Sequence, residues 1–272
     1  MKIDEMFKVR DLVTIVTGGA SGIGRACAEA MAENGAVVVL FDLDAEGGRR
    51  TAQELSAKGC RVASVAIDAT DRPALDAAMA DVRSRHGRID VVFANAGVSG
   101  GPGFLGLAGG RDAKTSFEGV AGEVWERVLR TNVLSVAATI AAAIPHLKAN
   151  GGGRIIVTSS VSAFRTEPHV ASAYVASKGA VGQIVRQAAL ELAAFNINVN
   201  ALAPGPTATN IGGGRLQHAD AQAGFGALTP MRRIGMPEDM KGAALFLASP
   251  ASNYITGVHI AIDGGAMLGK AD

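Results

Sequence analysis

The chain has 272 residues, 48% hydrophobic and 19% charged, with a net charge of +1 at pH 7. That is enough apolar material for a sizeable buried core, in one large α/β domain or two small ones, and the near-neutral balance excludes a general attraction to nucleic acid or acidic lipid. Two cysteines, Cys27 and Cys60, cannot make a disulfide framework and read as small core residues of a reducing compartment, and the five histidines show no metal-ligand spacing.

Met1 to Arg10, with Lys2, Asp4, Glu5 and Lys8, lacks the apolar core of a signal peptide. Val13-Thr14-Ile15-Val16-Thr17 is a short β-branched run and predicts a strand buried on both faces. Gly18, Gly19, Gly22 and Gly24 follow, and then Arg25 to Asn34 predicts a helix closed by Gly35. Strand, glycine turn and helix together suit a phosphate: glycines let the backbone approach a pyrophosphate, and the helix N-terminus offers free N–H groups. A plain tight strand-to-helix connection would use the same residues.

Ala36 to Phe41 predicts the second strand. It ends at Asp42, which is 42 − 24 = 18 residues after the last glycine of the turn. An acid at about that distance accepts hydrogen bonds from ribose hydroxyls and repels a 2′-phosphate. No Lys or Arg lies within Gly18 to Gly24 or immediately after Asp42, so NAD is expected over NADP; a helix-capping carboxylate is the plainer reading. Asp44 to Ala57 predicts a helix, Arg61 to Ile67 a strand, and Asp71 to Arg85 a helix. Asp68 is placed either to touch an adenine amine or to cap the next turn. Ile89 to Ala94 predicts the fourth strand, ended by the sharply turning Asn95-Ala96-Gly97.

Ser99 to Gly119 is glycine-rich and irregular. Val120 to Leu147 predicts a long helix with Asn132 in an apolar setting that suits it poorly. Its apolar run, Val133 to Ile144, is too short to span a bilayer. Gly153 to Thr158 predicts the fifth strand, and Ser159-Ser160 follows. Tyr174 and Lys178 then stand four apart at the start of a helical stretch running to Phe195, which puts phenol and ammonium on one face. A neighbouring ammonium pulls a phenol's pKa down, and such a pair can exchange a proton with an alcohol or a carbonyl. A chance surface pair would look the same. Ile197 to Leu202 predicts the sixth strand, Pro204-Gly205-Pro206 a loop, and Asn210 to Pro230, with Gly212-Gly213-Gly214, a mobile lid within 207–235. Pro237 to Ala248 predicts a helix and Gly257 to Ile262 a seventh strand. Glu167, Pro168 and His169 either line a pocket or lie in a solvated loop.

Thr17-Gly18-x-x-x-Gly22-x-Gly24, Asn95-Ala96-Gly97, Asn132, Ser160, Tyr174-x-x-x-Lys178 and Pro204-Gly205 occur in the order found in short-chain dehydrogenases/reductases. From about Lys8 to Gly265 the chain resembles that family. The resemblance implies catalytic roles for Tyr174 as acid–base, Lys178 as its modulator and ribose ligand, Ser160 as the group orienting substrate oxygen, and Asn132 as a helix-bending residue that holds a relay water. Ser160 stands 174 − 160 = 14 residues before the tyrosine, one more than the usual family spacing. The implied cofactor set is Gly18, Ser21, Gly22, Ile23, Gly24, Asp42, Leu43, Asp68, Ala69, Asn95, Ala96, Gly97, Tyr174, Lys178, Pro204, Gly205, Thr207 and Thr209, with no metal. The 99–119 stretch is an insertion by comparison with the family.

The alternation of strands and helices, without a linker, predicts one α/β domain over 1–272: a doubly wound, parallel, seven-stranded Rossmann-like sheet. The function expected is hydride transfer between NAD(H) and a small-molecule secondary alcohol or ketone, in a cytoplasmic homodimer or homotetramer with no nucleic-acid or membrane partner. A 3-ketoacyl-thioester reductase and a non-catalytic NAD-sensing protein are the rival readings.

Overall fold

The strands are built from β-branched and aromatic residues, and several are buried on both faces as parallel sheets require. In the computed structural model, which describes residues 2–269, they are β1 (Val13–Thr17), β2 (Val37–Asp42), β3 (Arg61–Ala66), β4 (Val91–Ala94), β5 (Gly153–Thr158), β6 (Ile197–Pro204) and β7 (His259–Ile262). Met1 and residues 270–272, the ends of the expected 1–272 domain, lie outside the described residues. All seven strands pair in parallel, in the order 3-2-1-4-5-6-7.

The helices are α1 (Ile3–Met6), α2 (Gly22–Glu33), α3 (Ala45–Ala57), α4 (Arg72–His86), α5 (Gly122–Leu129), α6 (Ser135–Ala149), α7 (Ser172–Leu192), α8 (Ala219–Ala227) and α9 (Lys241–Ala248). α2, α3 and α9 cover one face of the sheet through Met31, Ala52 and Leu247. α4, α6 and α7 cover the other through Met79, Ile140 and Val185. The end signals are local. Asp71 accepts a hydrogen bond from Ala74 N at 3.1 Å to cap α4, and Gly87 closes that helix in the left-handed region with φ 76°.

Three differences from the sequence reading have physical causes. β4 starts at Val91 rather than Ile89, because the Asp90 carboxylate accepts Val13 N–H at 2.8 Å. β7 starts at His259 because Gly257 turns the chain at φ 77°. The stretch Asn210 to Pro230 contains α8, although Gly224 and Gly226 are poor helix formers. Burial of Phe225 with Ala208 and Ile234 in a small satellite core holds it in that conformation.

The apolar run around Val133 to Ile144 belongs to one continuous helical stretch, Gly122–Ala149, with a π-turn at Arg130–Leu134 joining α5 to α6. At 28 residues that stretch is long and apolar enough to cross a membrane by length and composition alone, unlike Val133 to Ile144 by itself. Here Val136, Ile140 and Leu147 are buried against the sheet, which makes it a core helix of this domain. Cys27 is a core residue, whereas Cys60 is only half-buried.

Two glycines give opposite expectations for stability. A Cβ on Gly24 would lie 2.1 Å from Gly18 O and 2.4 Å from Asn95 Nδ2, so Gly24→Ala should cost about 1–3 kcal/mol in chemical denaturation. Gly179 is exposed inside α7 with nothing near its absent Cβ, so Gly179→Ala should stabilise by about 0.5–1 kcal/mol. The reverse order of the two effects would contradict this packing.

Candidate active site

In an open parallel sheet the ligand crevice forms at the carboxyl ends where the strand order reverses, here between β1 and β4. Asn95, just past β4, ties those ends together. Its Nδ2 donates to Thr17 O at 3.0 Å and Gly18 O at 3.1 Å, and its Oδ1 accepts from Thr158 Oγ1 at 2.8 Å. Its main-chain N–H donates to Thr17 Oγ1 at 3.0 Å. One side chain thus links β1, β4 and β5 at the mouth of the crevice.

A cleft of about 810 Å³ opens there, and every residue of the cofactor set named from the sequence lines it, from the glycine turn through Asp42 and Asp68 to Thr207 and Thr209. Gly18 and Gly22 have φ of 64° and 53°, a region that L side chains avoid, so glycine meets a backbone need at both turns. Asp42 is partly buried at the end of β2. Its oxygens accept Ala20 N and Asp44 N, each at 2.9 Å, so it braces the glycine turn as well as facing the cleft. Asp68 accepts Thr70 N at 2.8 Å, the turn-capping contact, and also faces the cleft. Leu43 is 75% exposed at the same end.

Tyr174, Lys178 and Ser160 line the other end of the cleft. The Lys178 ammonium is only 4% exposed, donates to Thr158 O at 2.8 Å, and lies 5.6 Å from the Tyr174 ring centroid. Ser160 Oγ accepts Ser162 N at 3.1 Å and donates to Ser162 Oγ at 3.2 Å, while the Ser159 hydroxyl is buried without a partner. The electrostatics differ from the sequence expectation. Burial pushes the Tyr174 phenol up to about 12; the Ser160 hydroxyl works downward and the Glu167 charge adds to the rise. Burial pushes the Lys178 ammonium down to about 8. Desolvation of each group, rather than Lys178 pulling the phenol down, dominates their titration.

Asn132 sits in the π-turn, fully buried, and does not line the cleft. Its Oδ1 accepts Val98 N at 2.7 Å, and its Nδ2 donates to Val98 O and Ser177 Oγ, both at 3.0 Å. Both amide donors are therefore committed. Ser177 in turn donates to Tyr174 O at 2.7 Å, so the amide links the loop after β4 to the first turn of α7. A π-turn in a helix commonly marks such a locally adapted position.

The walls near Tyr174 come from segments that periodicity could not connect. The 99–119 stretch docks on the loop before α7: Leu105 N donates to Pro168 O at 3.1 Å, and Leu105 O lies 2.8 Å from His169 Nδ1. Leu107 packs on Gly224 of α8. Glu167 lines the cleft, nearly buried, with Arg165 Nε at 3.0 Å. Arg215, in the turn before α8, lines it as well. Neither charge belongs to a motif, and only Glu167 drew notice in the sequence.

The family model described as Enoyl-(Acyl carrier protein) reductase matches residues 18–267. Over 253 residues the chain is 36% identical to cis-4-hydroxycyclohexanecarboxylate dehydrogenase of Sinomonas cyclohexanicum, covering 93% of this chain and 95% of the relative. A crystal structure of a short-chain type dehydrogenase/reductase from Mycobacterium marinum superposes with a TM-score of 0.87 at 30% identity, covering 97% of this chain and 99% of that one. An NADPH-dependent 3-quinuclidinone reductase from Rhodotorula rubra superposes with a TM-score of 0.85 at 31% identity, covering 98% and 95%.

The buried lysine predicts a pH signature in stability. Its pKa falls from 10.5 unfolded to about 8 folded. Below pH 8 the ammonium is charged in both states and its burial cost is fully present. Between pH 8 and 10.5 the folded state sheds the proton first, and the cost is relieved. The stability gap between Lys178→Met and the wild type should therefore shift in the wild type's favour across that window, by on the order of 3 kcal/mol. Parallel pH–stability curves for the two proteins would show that Lys178 titrates normally.

Proposed function

Because the chain belongs to the short-chain dehydrogenase/reductase family, we propose that it moves a hydride between NAD(H) and a small-molecule secondary alcohol or its ketone. The observation that carries this reading is the convergence of Tyr174, Lys178 and Ser160 on one end of a cleft whose other end is the glycine turn. Fold alone would not support it, since the same architecture hosts many activities.

Gly18 to Gly24, Asn95 to Gly97 and Pro204 to Thr209 form a cradle that close backbone packing keeps open, and it fits a dinucleotide. The glycine spacing lets main chain approach a pyrophosphate, and the α2 N-terminus supplies N–H groups. When bound, the nicotinamide supplies the hydride acceptor or donor. The chain supplies the proton chemistry. Tyr174 gives a proton to the carbonyl oxygen in reduction and takes one from the hydroxyl in oxidation. Ser160, on the same end of the cleft as the phenol, orients that oxygen. Lys178 is placed to hold ribose hydroxyls, and Asn132 acts as a positioning residue through Ser177. The 99–119 insertion and the 207–235 lid wall the substrate end.

NAD is preferred over NADP in this reading. Asp42 and Asp68 are the charged residues on the adenine end of the cleft, and both are acids. Arg25, the nearest cation after the glycine turn, is engaged by Glu29 and Glu54 at 3.0 and 2.7 Å. A 2′-phosphate would thus meet the Asp42 carboxylate, and among the described residues no cation is paired with that acid. We assign the protein to the cytoplasm as a homodimer or homotetramer, which the exposed Leu134 and Leu190 on its helices suit. The rival thioester reductase is disfavoured by the same acidic adenine end, and a non-catalytic sensor would have no use for the Tyr174–Lys178 pair.

Three outcomes follow from these assignments. Tyr174→Phe should keep NAD binding and lose about 10²- to 10⁴-fold in turnover; turnover near wild type would point to another acid–base group. Asp42→Ala should shift the NAD-to-NADP ratio of kcat/KM toward NADP by roughly 10-fold or more, and an unchanged ratio would remove Asp42 from cofactor choice. A phenol held protonated up to about 12 donates readily but ionises poorly. Alcohol oxidation should therefore accelerate as pH rises from 7 to 10 while ketone reduction does not, and equal profiles would contradict the assignment.

A further inference from the structure

The lid can be followed across the cleft by its contacts. At its start Thr209 lies against the glycine turn, where a Cβ on Gly22 would meet its Cγ2 at 3.3 Å. Further on, Gly212 lies over Ser99, 3.1 Å from that side chain by the same measure. Arg215 then reaches the Tyr174 side, with Nη2 3.5 Å from His169 O and Cζ 5.6 Å from the Phe225 ring centroid. The guanidinium is therefore carried away from the phosphate turn and onto the substrate end.

Among the described residues, no carboxylate forms an ion pair with this guanidinium. Arg215 is half-buried, burial pulls its pKa down, and no acid acts in the opposite direction. Its hydrogen bond to His169 O is at the limit of length. Glu167, the acid on this part of the cleft, is already held by Arg165 at 3.0 Å. A guanidinium cannot shed its proton to relieve burial, so a site that keeps one half-desolvated is suited to an incoming anion. Arg127 is exposed on the cleft lining and does not share this desolvation. A single planar fork matches the two oxygens of a carboxylate, while a phosphate ester would call for more cations. Val170, Leu216 and Phe225 make the adjoining wall apolar.

We propose that Arg215 is a specificity-determining residue that binds the carboxylate of the substrate, which is a secondary alcohol or ketone bearing that carboxylate on an apolar skeleton. This rests on the dehydrogenase reading above for the alcohol, and on Arg215 alone for the anion.

The two parts separate experimentally. Calorimetry on the full chain with NADH bound would compare cyclohexanecarboxylate and hexanoate with their amides. The wild type should bind the acids at least about 10-fold more tightly than the amides. Arg215→Met should abolish that difference, and Arg215→Lys should keep part of it, because charge persists without the fork. NAD-dependent oxidation of a hydroxycyclohexanecarboxylate should exceed that of its methyl ester in kcat/KM, and Arg215→Met should collapse the ratio mainly through KM. Equal binding of acids and amides by the wild type would overturn the proposal. So would a loss of NADH affinity in Arg215→Met as large as the loss of acid binding, since that would make Arg215 a cofactor phosphate ligand. Arg215-dependent acid binding with no alcohol oxidised would support the anion site and sink the dehydrogenase reading instead.

Discussion

The site depends on how the carboxyl ends of β1, β4 and β5 are held. A parallel sheet opens a crevice where its connections diverge, but the open ends leave main-chain groups without ladder partners. Asn95 meets that need with one amide, satisfying Thr17 O and Gly18 O on one side and Thr158 Oγ1 on the other. At the opposite end Asp90 performs a similar service for Val13 N, buttressed by Arg88 at 2.5 Å. With both ends pinned, Gly18 and Gly24 can come within contact of Asn95 and Ala96, a spacing that leaves no room for a Cβ. The glycine turn is therefore a consequence of strand-end packing as much as of ligand shape.

The same economy extends to the chemistry. Lys178 donates to Thr158 O, the carbonyl of the residue whose hydroxyl serves Asn95. The buried amine is tied to the end of β5, next to the serine pair. Burial separates the two proton affinities, pushing the phenol up and the ammonium down, so the tyrosine is held as a donor and the lysine is a poorly solvated cation. Anything that lowers the phenol toward neutrality has to come from charge or hydrogen bonding that outweighs desolvation. Ser160 already acts in that direction and Glu167 against it. The balance at Tyr174 is thus set by its own desolvation and by two groups, Ser160 and Glu167.

Much of this was legible in the sequence because it is local. The run Val13 to Thr17, the glycines after it and the helix formers beyond spell out a strand, a turn and a helix within about 20 residues. Asp42 and the Tyr174–Lys178 spacing follow from one strand and one helix turn. What could not be read depends on contacts between distant segments. The downward pull of Lys178 on the phenol is reasonable for an exposed pair and fails because burial is a tertiary quantity. Asn132 looks misplaced in an apolar helix, and only the fold shows Val98 and Ser177 meeting its amide. α8 is hidden by its glycines until Phe225 has a core to enter. Arg215 carries no motif, and its place on the cleft depends on how the chain around Gly212 crosses to His169 and Phe225.

The central claim is that this cleft passes hydride directly between the carbinol carbon of a secondary alcohol and a nicotinamide ring. The most direct measurement is isotope transfer: incubation with NAD and a secondary alcohol deuterated at the carbinol carbon, followed by mass analysis of the NADH formed. The account predicts NADH heavier by one deuterium, with no label from deuterated water when the alcohol is unlabelled. Reduced cofactor that takes its hydrogen from solvent, or no reduced cofactor with any secondary alcohol, would contradict it.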